Sequence, residues 1–171
     1  NGAFRGTAGL ALAIKGVGAG NLAGGACNAY FERMPLVAMC ERAPTAWKQR
    51  EMMQHCPHAG LFGGITKMQV TLTAEDAPSM LQEAAFMATD GRPGVVLADL
   101  PSDLGTAPCG GVLPSKAHCP HAVPAKEEIE AAATFLKGRR RPVVIAGADV
   151  VRHGVEGELM RFVETISAAV L

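Results

Sequence analysis

The stretch GLALAIKGVGAGNLAGG, residues 9–25, runs an apolar segment into a cluster of glycines and out into an alanine-rich segment. An apolar run stopped by glycine reads as a buried strand over 9–14. Asn21 then reads as the cap of a helix over 22–32, with Ala23, Ala26, Cys27 and Tyr30 on its inner side. A strand, a glycine turn and a helix in that order form half of a parallel-sheet unit. Because Gly16, Gly18 and Gly20 lack a Cβ, backbone there can adopt positive φ and lie close to a ring or a phosphate.

The same alternation continues downstream. PLVAMC (35–40) reads as a second buried strand, residues 46–54 as a helix, and Gly60, Gly63 and Gly64 as part of a loop. KMQVTL (67–72) alternates like an edge strand. A helix starts near Asp76–Pro78, since proline is tolerated in a first turn. Its inner stripe is Ala77, Leu81, Ala84, Ala85 and Ala88; Gly91 and Pro93 end it, and GVVLAD (94–99) is a third buried strand. The expected fold class is therefore α/β, a parallel sheet flanked by helices. From Pro101 to Pro124, five prolines interrupt the pattern as a connection would. A second α/β unit follows, with a helical stripe of Ile129, Ala132, Ala133 and Leu136. After it come a strand PVVIAG (142–147), a stripe of Val155, Leu159, Phe162, Val163 and Ile166, and a final strand in 168–171.

Composition removes several function classes. Sixteen basic residues balance sixteen acidic ones, so nothing marks the chain for nucleic acid. The run Arg139-Arg140-Arg141 lies between Gly138 and Pro142 and reads as a solvated turn. No apolar segment approaches the roughly 20 residues that cross a bilayer, so no membrane contact is expected. Five cysteines without framework spacing point to a reducing, cytoplasmic setting. Aromatic residues make up only 5%, so the core is expected to be Ala, Val, Leu and Met.

Three readings of the glycine turn stay open from the residues alone: close packing of helix on sheet, dinucleotide binding, or another cofactor. For a dinucleotide, Gly18-x-Gly20-x-x-x-Gly24 resembles a variant spacing and Glu41 ends the next strand, where a ribose-binding acid belongs. A second decoy is HCPH, which occurs at His55-Cys56-Pro57-His58 and again at His118-Cys119-Pro120-His121. Neither copy has C-x-x-C spacing, so the two are read as loop composition and no metal site is expected. No G-x-S-x-G is present, and Cys27 and Cys40 fall on core faces.

The longer pattern decides among these. GVGAGNLAGGACNAYFERMPLVAMCERAPT (16–45) and DGRPGVVLADLPSDL (90–104) resemble two paired signature blocks of thiamine diphosphate-dependent enzymes, acetolactate synthase-like and benzoylformate decarboxylase-like members in particular. The gap fits too: Gln54 follows Pro44 by ten residues, and Lys67 follows Gln54 by thirteen. Residues 140–171 are similar to the start of that family's central domain.

The resemblance implies residues 1–103 as the later part of a pyrimidine-binding domain, 104–124 as a linker and 125–171 as the start of a central, Rossmann-like domain. It implies thiamine diphosphate and Mg2+ as cofactors, leaves FAD in the central domain open, and implies a 2-oxo acid substrate and a homodimer or homotetramer. Gly16, Val17, Gly18 and Asn21 fall on the turn beside the pyrimidine ring. Ile14, Lys15, Met53, Gln54 and Lys67 fall in the substrate channel, with Pro44 and Met52 nearby. Ile14 and Lys15 stand where relatives carry Thr-Ser or a histidine, and isoleucine cannot relay protons; Lys15 reads as a solvated loop lysine, with a carboxylate contact as the sharper alternative. Met53-Gln54-His55 replaces an aromatic-Gln-Glu, and Val17 a proline. The resemblance puts the family's catalytic glutamate upstream of Asn1, and no glutamate precedes Glu32 in this sequence; the GDG…N diphosphate motif is also absent. The chain by itself is thus expected to be inactive. A Rossmann-type NAD(P) oxidoreductase domain and a non-catalytic interaction domain of the same fold are the alternatives.

Overall fold

The computed structural model describes residues 5–47, 52–109 and 123–171, which divide into two compact units, 1–119 and 120–171. The first unit is a four-stranded parallel sheet: β1 (Gly9–Ala13), β2 (Leu36–Arg42), β3 (Thr66–Thr71) and β4 (Val95–Pro101), in the spatial order β1-β2-β4-β3. Its helices are α1 (Val17–Phe31), the short α2 (His58–Phe62) and α3 (Ala77–Thr89).

β4 explains the layering. Successive strand residues face opposite sides. Val95 and Leu97 join Ala19, Ala26, Ala29 and Phe62 on one face, while Val96 and Ala98 join Ala84 and Ala88 on the other. Both helices present alanine to the sheet, which lets their backbones approach closely and matches the expected aromatic-poor core. Gly91, at φ +55, turns the chain out of α3, and the Gly94 amide donates to Ala88 O at 2.9 Å on the way into β4.

Several local expectations are corrected. The 9–14 strand is half-exposed rather than buried: Leu10 and Leu12 are 66% and 65% exposed, because β1 is an edge strand whose outer side chains meet no described element. α1 begins at Val17, with Gly16 as its N-cap, so Asn21 sits inside the helix and caps nothing. Of the turn glycines only Gly16 has positive φ; Gly18 and Gly20 are helical. Tyr30 faces outward, and Ala29 takes the inner position. The expected helix over 46–54 is instead a 3₁₀ turn at Thr45–Trp47 and a turn at Met53–Gln54, with 48–51 outside the described residues. The loop expected around Gly60 contains α2.

The second unit contains α4 (Lys126–Lys137), β5 (Val143–Val144), α5 (Asp149–His153), α6 (Glu156–Ile166) and β6 (Ala169–Val170), with β5 and β6 parallel. The Glu128 carboxylate accepts from the Ala125 amide at 2.9 Å and so fastens the start of α4. α5, which no sequence pattern announces, is a single turn ended by Gly154 at φ +64. Arg139 stacks over the Phe135 ring, 4.2 Å from its centroid, inside the exposed basic turn.

Candidate functional site

In parallel sheets, strand ends at the carboxyl side open onto turns, and ligands bind there. Six polar side chains of this chain meet at that end. Lys15, two residues past β1, places its Nζ 2.8 Å from Glu41 Oε1 at the end of β2. Arg42 Nη1 donates to Asp99 Oδ2 of β4 and to Thr71 Oγ1 of β3, both at 3.2 Å. His58 Nδ1 lies 2.8 Å from Asp99 Oδ1. Since a carboxylate can only accept, the His58 Nδ1–H donates to Asp99. The other ring nitrogen, Nε2, is buried and has no partner among the described residues.

The register explains the convergence. Ala13 pairs with Cys40, and Cys40 with Asp99, so Lys15 and Arg42 leave adjacent strands at the same level. A lone aspartate at the end of the apolar run Val95–Ala98 is costly to bury unless it is paired; Arg42 and His58 supply the pairing. Burial, the Asp99 charge and the Cys56 charge push the Cys40 thiol up to about 11, so it stays protonated and inert at neutral pH.

The glycine turn adjoins this cluster. Gly16 adopts φ +65, and a Cβ there would lie 2.6 Å from both Cβ and O of Gln54. Gln54 itself is held at φ 62. The structure therefore brings together Gly16, Val17, Lys15 and Gln54. Val17 and Ile14 are exposed beside the turn, Gly18 is half-buried, and Asn21 lies exposed on α1. Met53 is exposed on the turn that carries Gln54, and the Pro44 carbonyl accepts from the Trp47 amide at 2.8 Å. Asn1 lies outside the described residues, and the catalytic glutamate expected upstream of Asn1 falls outside them with it.

Lys67 is the exception. It lies near the amino end of β3, away from the glycine turn, and its Nζ donates to Met87 O at 2.7 Å and Asp90 O at 2.6 Å. Those carbonyls end α3, so Lys67 serves there as a helix C-terminal cation. Burial lowers its pKa, and the Asp90 charge opposes that shift.

Three further expectations change. Lys15 is no solvated loop lysine, since its side chain is 19% exposed and ion-paired. Glu41, the would-be ribose acid, is already engaged by that lysine. His58, read as loop composition, is a buried partner of Asp99 instead; the paired His and lone strand Asp were the available signal. Among the described residues no group of His, Cys, Asp and Glu could hold a metal, and the His118–His121 copy lies outside them.

Known proteins resemble this chain over nearly its whole length. The chain is 31% identical over 173 residues to a probable acetolactate synthase large subunit of Methanocaldococcus jannaschii, covering 96% of the chain and 29% of the relative. It is 32% identical over 166 residues to acetolactate synthase 1, chloroplastic, of Zea mays, covering 93% of the chain and 26% of that protein. The chain is a homologue of acetolactate synthase large subunits. It spans less than a third of the length of these relatives. No protein-family model matches it. The fold of this acetolactate synthase-like chain is also that of a solved structure, the thiamine diphosphate-dependent 4-hydroxybenzoylformate decarboxylase of Rhodococcus jostii RHA1. The TM-score is 0.86 at 22% identity, covering 99% of this chain and 33% of that one.

Proposed function

We propose that this chain is part of a thiamine diphosphate-dependent 2-oxo acid decarboxylase or carboligase, contributing one side of the cofactor site. Residues 1–103 supply the pyrimidine-binding side, 104–124 link, and 125–171 begin the central domain. The observation that carries this reading is the Gly16–Gln54 contact at the carboxyl end of the sheet, in a chain homologous to acetolactate synthases.

The residues present fit the pyrimidine half of the cofactor. α1 starts at Val17 without any side-chain cap, so its first-turn N–H groups are available to a ring acceptor. Val17 is exposed and apolar beside them, and the Gly16 turn is bare backbone. When bound, the cofactor supplies an electron sink for decarboxylation of a 2-oxo acid. Gln54, fixed on Gly16, orients groups at the mouth of the turn, and Ile14 and Val17 exclude water from it. The diphosphate and Mg2+ are a different matter: the described residues offer no metal-binding group, and we assign them to other parts of a longer protein. The catalytic glutamate is assigned in the same way, to sequence upstream of Asn1. A homodimer or homotetramer in the cytoplasm fits a cofactor held between subunits. No helix among the described residues is long and apolar enough to cross a membrane.

Calorimetric titration of the full-length gene product tests the reading. Thiamine diphosphate with Mg2+ binds saturably if it holds; saturable NADPH binding with none for thiamine diphosphate contradicts it.

A further inference from the structure

We propose that Lys15 and Arg42 form a carboxylate-recognition subsite, with Glu41 and Asp99 as the counter-ions that aim them. The inference rests on the reading above as a 2-oxo acid enzyme and names the charge that its site selects. Lys15, Arg42 and His55 line one small cleft together with Cys56 and His58, at the carboxyl ends of β1 and β2. These ion pairs leave several of their donors over. An ammonium carries three N–H groups, and Glu41 takes one of them. Both bonds made by Arg42 come from Nη1, so its Nε and Nη2 have no acceptor among the described residues. The Arg42 side chain is 41% exposed and therefore reachable.

The counter-ions do separate work. Asp99, shared with the buried His58, fixes the guanidinium plane from within the protein, while Glu41 restrains Lys15 from the rim. A planar fork beside a point cation suits a carboxylate, which can accept from both. That carboxylate is either the 1-carboxylate of the 2-oxo acid or a distal one on its side chain.

Calorimetric titration of the full-length protein without thiamine diphosphate, so that nothing turns over, separates these. The probes are 2-oxoglutarate and 2-oxohexanoate, of similar length, of which only the first has a distal carboxylate. Lys15→Met is expected to weaken 2-oxoglutarate by about tenfold. If 2-oxohexanoate is unaffected the distal carboxylate is the ligand, and if it weakens equally the 1-carboxylate is. Glu41→Gln, which releases Lys15 from its competitor, is expected to tighten the same ligand by about threefold, and it keeps the test available should Lys15→Met fail to fold. The proposal is overturned if neither probe binds the wild type, if Lys15→Met changes neither affinity, or if Glu41→Gln weakens binding. Thiamine diphosphate titrated into the same protein reports on the enzyme reading by itself, so the two can fail separately.

Discussion

The two ends of the parallel sheet use their lysines in opposite ways. At the amino end, Lys67 donates to two backbone carbonyls that close α3, a local arrangement with no other side chain involved. At the carboxyl end, Lys15, Glu41, Arg42, Asp99, His58 and Thr71 come from three strands, a turn and a short helix, and form two hydrogen-bonded groups, Lys15–Glu41 and Thr71–Arg42–Asp99–His58. A helix end needs a cation and is content with any; a charged cluster needs a register. The difference separates a structural lysine from a candidate functional one, although both fall in the same resemblance-derived channel.

Breaking the carboxyl-end cluster has the largest expected effect. Asp99→Ala leaves His58 and Arg42 without their shared acceptor, and the loss is expected to reach about 3 kcal/mol, read as the shift in urea midpoint. A change under a third of that shows the cluster to be loosely held. Gly16→Ala comes next, at about 2 kcal/mol, since it meets both the positive φ and the Gln54 backbone. Gly18→Ala is a contrast: its Cβ would meet side chains alone, Ile14 Cγ2 at 2.6 Å with Ile14 Cβ and Ala13 Cβ at ordinary contact distance, and its φ is not positive, so a shift of the exposed Ile14 should absorb it at a smaller loss than at Gly16. Equal losses at 16 and 18 contradict the distinction.

Cys40 sharpens the comparison through pH. Its folded thiol titrates near 11 rather than at the ordinary 9.0, so the folded state holds a proton that the unfolded chain loses first. Stability from this group is complete below pH 9 and declines between about 9 and 11, by up to about 3 kcal/mol. Cys40→Ala should flatten that alkaline slope; an unchanged slope assigns it to another group. Lys67→Met has the smallest effect, below about 1 kcal/mol, and is expected to leave affinities at the carboxyl end unchanged. A loss of 2-oxo acid binding in this variant would return Lys67 to the site.

Much of the fold was legible because β4 and α3 obey local rules. GVVLAD lies between a glycine stop and a proline, and the alanine stripe from Ala77 to Ala88 has one period. GLALAI and PVVIAG show the limit of that logic. Both are apolar runs like GVVLAD, yet Leu10 and Leu12 of the first and Val143 and Ile145 of the second are exposed. Apolar composition says that a strand wants cover and not whether a neighbour provides it. At the site, Gly16 was legible, because a turn needing bare backbone advertises itself. Asn21 misled, since good capping chemistry lost to glycines willing to be helical. The Lys15–Glu41 pair and the His58–Asp99 pair span 26 and 41 residues, and only the strand register brings them together. No local pattern reports such a distance.

The central claim is that the Gly16–Gly18 turn faces the cofactor. Titrating thiamine diphosphate with Mg2+ into the full-length protein and its Gly18→Ala variant tests it most directly, because that substitution meets no backbone atom and is expected to leave the chain folded. The account predicts saturable binding to the wild type and about tenfold weaker binding to a variant that still unfolds cooperatively. Equal affinity in the two proteins, or no binding to either, would contradict it.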